Sequence, residues 1–220
     1  MNHEPNKVFE RLFREYPSLE TCRPAIAEGF ELLRACYSKS GKVLICGNGG
    51  SAADSEHIVG ELMKGFKLKR PIPQTAKAAL ARLFPAEGAD LADHLQGALP
   101  AISLTGHPAL SSAFANDVRA NMVYAQQVYG YRQPGDVLIA LSTSGNSTNI
   151  LNAAKIAKAF GMAVLGMTGQ GGGKLGELSD VCIRVPAEET YRVQELQLPV
   201  YHALCAMLEE EFFGEAAAAR

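Results

Sequence analysis

Short apolar runs recur along the chain at Val43–Cys46, Ala101–Leu104, Val137–Leu141, Ala163–Met167 and Val181–Val185. They largely lack the apolar–polar alternation of a one-sided strand, so they predict strands buried on both faces. Between them the apolar residues return at spacings of three and four. Val8, Phe9, Leu12 and Phe13 predict a helix over 6–17, and Ile26, Phe30 and Leu33 a second one opened by Pro24. Further helices are predicted over 118–131, 148–160 and 190–213, with a short one after Gly169–Gly173. Ala113–Asp117 reads as a polar stop. Strand–helix alternation of this kind predicts an α/β domain with a parallel sheet covered on both faces. Pro199 inside the last helix removes one backbone donor, which predicts a kink between Gln194 and His202 or a new segment.

Residues 74–99 depart from this rhythm. Such a span between two sheet elements is too long for a structureless loop in a compact domain. Alanine-rich segments at 75–84 and 89–99, split by Pro85 and Gly88, predict a helical hairpin, with Leu91, Leu95 and Leu99 on one face of the second segment. A lid over a nearby site is the preferred role, and a pad at a subunit interface the alternative.

A length of 220 residues suits one domain, 1–220, and 47% apolar residues suffice for a sizeable core. A net charge of −2 offers no nucleic-acid footprint. The cysteines are odd in number and no C-x-x-C occurs, so a disulfide framework or a cysteine zinc site is not expected. A reducing cytoplasm fits this usage. No apolar run approaches the ~20 residues of a membrane span. Met1–Lys7 has no signal-like apolar segment, and the tail Glu215–Arg220 is expected to fray.

The chemistry collects after two strands. Gly47-Asn48-Gly49-Gly50-Ser51 follows the first, where glycines let backbone approach a ligand. Ser51 is expected to cap the next helix, with Asp54 as a capping-box partner. A strand, a glycine turn and a helix N-terminus together make an anion site. Gly47, Gly49 and Ala52 form only a loose G-x-G-x-x-A, the acidic residue expected at the end of the next strand is missing, and no Walker pattern follows. His57 and Glu61 share a helical face. Alone they would read as a surface pair, but their place just beyond the glycine turn makes them a candidate site. Ser142-Thr143-Ser144-Gly145-Asn146-Ser147 repeats the logic after a second strand, offering hydroxyls and helix N-terminal donors to a phosphate. An ordinary Ser/Thr turn is the alternative. Gln194, Glu195, Gln197 and His202, taken in isolation, read as a solvated helix face.

Together the two loops resemble the sugar isomerase (SIS) domain family, and the resemblance runs from about residue 7 to 212. It implies a flavodoxin-like five-stranded parallel sheet with helices on both faces, and a homotetramer with active sites at subunit interfaces. Within the family the chain is similar to the branch that converts sedoheptulose 7-phosphate to D-glycero-D-manno-heptose 7-phosphate. That branch carries a His-x-x-x-Glu after the first loop, matched by His57 and Glu61. It also carries a Gln and a His eight residues apart in the last helix, matched by Gln194 and His202. In some members these four positions hold zinc. Isomerisation through an enediol needs a base and an acid; Glu61 is assigned as the base and His202 as the acid, and a zinc-ligand role for Glu61 competes with this one. Ser142, Thr143, Ser144 and Ser147 are expected to hold the phosphate. Asn48, Gly49, Gly50, Ser51, Asn116, Asp117 and Gln194 are expected to contact the sugar.

Three departures bear on the pocket: residues 74–99 look inserted, Tyr191 stands where the family often has Asp, and Gln197 where it often has His. A sister group that binds the replication initiator DnaA is similar at Ala115–Asp117 and Val123–Val128. Its members typically lack the glutamate and the final histidine. The alternative function is therefore a non-catalytic regulator binding a phosphosugar or DnaA.

Overall fold

Strands β1 (Val43–Cys46), β2 (Ala101–Ser103), β3 (Val137–Leu141), β4 (Ala163–Thr168) and β5 (Val181–Arg184) pair in parallel in the order β2-β1-β3-β4-β5. The structure is a computed structural model that describes residues 4–214, and the tail expected to fray lies outside them. Alternate residues of β1 and β3 enter opposite cores. Val43, Ile45, Val137, Ile139 and Leu141 join one cluster, while Leu44, Cys46, Leu138 and Ala140 join the other. Two-sided burial explains the continuous apolar runs.

Helices α1 (Glu4–Glu15), α2 (Arg23–Ser38), α3 (Gly50–Met63) and α10 (Thr190–Phe213) cover the first face, with Phe13, Ile26, Leu33, Ile58 and Leu204 in its core. Helices α7 (Val123–Tyr131), α8 (Thr148–Ala159) and α9 (Gly173–Leu178) cover the second, supplying Val128, Ile150, Ala154 and Leu175. The strand order is that of flavodoxin-like sheets. Its direction of winding reverses between β1 and β3, and ligands bind such sheets beyond the strand ends at that reversal.

The excursion after α3 forms α4 (Gln74–Leu83) and α5 (Gly88–His94), which pack against each other. Gly88 sits where a Cβ would collide with the Leu80 carbonyl, which permits the tight reversal. The second helix is shorter than expected. Leu95 and Leu99 lie beyond it, so they do not share a helical face with Leu91. Leu99 is buried in the core while Leu91 and Leu95 are exposed. The base is tied down by Gly97 N–H to the Arg70 carbonyl (2.7 Å) and Leu99 N–H to the Leu62 carbonyl (3.0 Å).

Two other expectations are corrected. Residues 113–117 are no polar stop: α6 (Pro108–Phe114) runs into a π-helical turn over Ala115–Arg119 and a 3-10 turn over Ala120–Met122, so α7 begins at Val123 and not at 118. Helix α10 is one continuous helix through Pro199, so no new segment starts there. Val193, Val200 and Tyr201, buried on both sides of the proline, hold its two halves against the body. Among the described residues no helix is long and apolar enough to cross a membrane. Cys22, Cys36, Cys46, Cys182 and Cys205 are free.

Candidate active site

The register that pairs Cys46 with Ala140 brings the loops after β1 and β3 side by side at the reversal of the sheet. Asn48 and Asn149 tie them together by exchanging two side-chain amide hydrogen bonds, 2.9 and 2.8 Å. Asn149 was not singled out from sequence, because one asparagine in a helical turn carries no signal of a partner 101 residues away. Gly49 turns the first loop with φ +55°, a left-handed backbone that favours glycine. It also precedes α3 as its N-cap, so Ser51 is not the cap and Asp54 is not a capping partner. Ser51 is buried, and a Cβ at Gly47 would run into its carbonyl oxygen, so glycine is what lets the loop close on the start of α3.

The second loop is built to present donors. Ser142 Oγ donates to Ser147 Oγ (3.2 Å), which leaves the Ser147 hydroxyl proton free. Ser144 Oγ accepts the Asn146 backbone N–H (3.2 Å) and likewise keeps its proton. Ser147 is the N-cap of α8 but makes no side-chain cap bond; Ile150 N–H is taken by Asn149 Oδ1 (3.1 Å), which leaves the amides of Thr148 and Asn149 at the helix start. Gly145 has φ +67°, and a Cβ there would run into the Gly172 carbonyl. That close approach packs this loop on the 169–173 turn, where Gly169 N–H also bonds the Thr143 carbonyl (2.9 Å).

Helices α3 and α10 supply the acid–base groups. His57 Nε2 lies 3.2 Å from Glu61 Oε1 and 3.3 Å from His202 Nε2. The His57 side chain is 42% exposed and that of Glu61 13%. Glu61 Oε2 is buried without a hydrogen bond, and the Lys64 ammonium stands 3.7 Å away. Partial burial first, and then neighbouring His57, hold the His202 imidazole below the usual histidine range, against the opposite pull of Glu61. At neutral pH His202 is therefore an uncharged ring with one N–H to give. On the far side of His57, Tyr201 Oη lies 3.1 Å from Nδ1 and 3.2 Å from Asp54 Oδ1. Tyr201 went unnoticed in the sequence because it sits in the apolar run Val200–Leu208, where it reads as core.

The other expected residues divide. Gln194 packs on Gly50, where a Cβ would stand 2.5 Å from its Nε2, so glycine is what admits the amide. Eight residues of helix separate it from His202, about 12 Å along the axis, and it is not part of the His57–Glu61–His202 contact. Asn116 and Asp117 hydrogen-bond each other (2.8 Å) on the exposed π-helical turn. The solvated face expected around Gln194–His202 is broken by Gln197, which is 1% exposed with both amide atoms unpartnered.

The donor set of His57, Glu61 and His202 suits zinc. Zn–N and Zn–O bonds of ~2.0–2.1 Å about a tetrahedral ion place neighbouring ligand atoms ~3.3 Å apart. The two contacts at His57 Nε2, 3.2 and 3.3 Å, have that edge length. Among the described residues no three His, Cys, Asp or Glu side chains already close around one ion. A cavity of about 250 Å³ borders His202, lined also by Tyr16, Phe66, Lys67 and Pro199. A larger one of about 400 Å³ lies among α1, α2 and α10 and touches neither loop nor His57.

Comparison with known proteins identifies the family and the fold. The SIS domain pattern matches residues 12–82 and 75–169. The chain is 40% identical to phosphoheptose isomerase of Rhodospirillum rubrum, covering 87% of this chain and 88% of the relative. It is 35% identical to that of Geotalea daltonii, covering 97% and 94%. Among solved structures, phosphoheptose isomerase from Francisella tularensis superposes with a TM-score of 0.73 at 29% identity, covering 93% of this chain and 96% of that one. The Neisseria gonorrhoeae enzyme gives 0.70 at 30%, covering 91% and 94%.

Proposed function

Because the chain belongs to the SIS domain family, and to the phosphoheptose isomerases within it, we propose that it interconverts sedoheptulose 7-phosphate and D-glycero-D-manno-heptose 7-phosphate. The observation that carries this reading is the approach of both Glu61 and His202 to within 3.3 Å of His57 Nε2, on the helix that follows the first donor-rich loop.

The phosphate docks at the N-terminus of α8, held by the free hydroxyl protons of Ser144 and Ser147 and by the amides of Thr148 and Asn149. Asn48, Gly49, Gly50 and Gln194 line the adjoining sugar path. Glu61 takes the proton from C1 of the ketose and returns it to C2, giving the aldose through a cis-enediol. Neutral His202 donates its N–H proton to the O2 carbonyl as the enediol forms and recovers a proton from the O1 hydroxyl as the aldehyde appears. The charge that develops on oxygen is stabilised by placed donors rather than by bulk water.

As a role that competes with the acid–base assignment, zinc is proposed at His57, Glu61 and His202, with Gln194 as the fourth residue implied by the family. When bound, it would polarise the sugar oxygens as a Lewis acid. A homotetramer with sites at subunit interfaces is proposed as well. It is supported by the half-open site and by large apolar side chains left exposed, among them Val118, Tyr191 and Leu198. Conversion of sedoheptulose 7-phosphate by the purified chain tests the function, and light scattering tests the assembly.

A further inference from the structure

Asp54 and His57 lie one turn apart on α3, and Tyr201 reaches them from α10. The phenol oxygen bridges the two, 3.2 Å from Asp54 Oδ1 and 3.1 Å from His57 Nδ1. Tyr201 is 2% exposed, so water does not compete for it. Its ring also meets that of His57 edge-on, with centroids 5.5 Å apart. The second Asp54 oxygen, Oδ2, is buried without a partner.

A phenol has one proton to give and lone pairs with which to accept. A carboxylate only accepts, so Tyr201 gives its proton to Asp54. The lone pair of Tyr201 then faces Nδ1, which must carry a hydrogen to bond it. An imidazole protonated at Nδ1 is bare at Nε2, and Nε2 is the atom that faces Glu61 Oε1 and His202 Nε2. We propose that Asp54 and Tyr201 are positioning residues that fix His57 as the Nδ1–H tautomer and aim its Nε2 lone pair into the site. The isolated ring favours no such assignment, since which nitrogen is protonated is set by the bond the other makes. This inference deepens the proposed function and rests on it only for the meaning of the site. The tautomer is a property of the metal-free chain and is measured without substrate.

The experiment is long-range ¹H–¹⁵N correlation of the imidazole rings in the full chain, stripped of metal by chelator, at mildly alkaline pH. Wild type is expected to show His57 protonated at Nδ1. Tyr201→Phe removes the acceptor and is expected to move the proton toward Nε2. Asp54→Asn keeps an amide oxygen for the phenol and is expected to retain the wild-type tautomer, which separates bond geometry from general damage. Titration with zinc alone, in competition with a chromophoric chelator, is expected to show roughly 10- to 100-fold weaker binding in Tyr201→Phe. A wild-type ring protonated at Nε2 overturns the proposal, and so does a Tyr201→Phe variant with unchanged tautomer. The wild-type spectrum decides even if a variant fails to fold. Absence of isomerase activity would undo the functional reading while leaving this spectrum to be judged alone.

Discussion

Arg70 and Glu209 form an ion pair, Nε to Oε1 at 2.7 Å, in which neither side chain has exposed surface. The guanidinium also donates to the carbonyls of Glu61 (3.0 Å) and Leu62 (2.8 Å), so it closes the C-terminal end of the helix that bears His57 and Glu61. The carboxylate accepts the backbone N–H groups of Phe66, Lys67 and Leu68 as well. One buried pair thus fixes both the end of α3 and the chain that leaves it. Phe213 lies 4.8 Å below the guanidinium carbon.

Removing one partner leaves the other charge buried and unpaired. Arg70→Ala is expected to cost about 3–5 kcal/mol in urea unfolding. A loss below about 1 kcal/mol would show that the pair does not anchor the helix.

The free hydroxyl protons of Ser144 and Ser147 predict a binding role. Ser144→Ala and Ser147→Ala are each expected to raise KM for the heptulose phosphate about tenfold or more, with little change in kcat, since a hydrogen bond to a charged group contributes about 1.5–3 kcal/mol. Equal turnover of the unphosphorylated heptulose would contradict a phosphate cradle here.

The α4–α5 hairpin packs on itself and leaves Leu83, Phe84, Leu91 and Leu95 exposed. Such apolar surface favours a partner subunit over a lid on its own chain. Replacing 75–94 with a short Gly-Ser link, while keeping the bonds at Gly97 and Leu99, is expected to change the oligomeric mass by light scattering. An unchanged mass with a fallen kcat/KM would instead identify a lid.

Zinc binding makes its own prediction. Protein purified without chelator is expected to carry about one zinc per chain by elemental analysis, with affinity falling as acid protonates His57 and His202. Full activity in chelator with no zinc present would leave Glu61 and His202 to act as a metal-free acid–base pair.

The central strands β1, β3 and β4 were legible because they are buried on both faces, which writes their positions into the chain as unbroken apolar runs. The two loops were legible because glycines and hydroxyls at strand ends have few structural reasons to cluster. What escaped depends on distant partners. Glu209 opens the acidic run Glu209–Glu211 and reads as solvated until Arg70 is seen to bury it. Tyr201 reads as core until its hydroxyl is placed between Asp54 and His57. The cap at Gly49 escaped because serine is the commoner cap, and only the observed backbone shows the helix starting one residue before Ser51.

The central claim is that this chain isomerises a phosphorylated heptulose with Glu61 as the base. Its most direct test is the rate of aldose formation from sedoheptulose 7-phosphate by wild type and by Glu61→Gln at matched metal content. The account predicts turnover by wild type and a kcat lower by ~10²-fold or more in the variant, with KM little changed. Near wild-type turnover in Glu61→Gln would contradict the assignment. Tight binding of the sugar phosphate by wild type without any conversion would identify a non-catalytic binding protein instead.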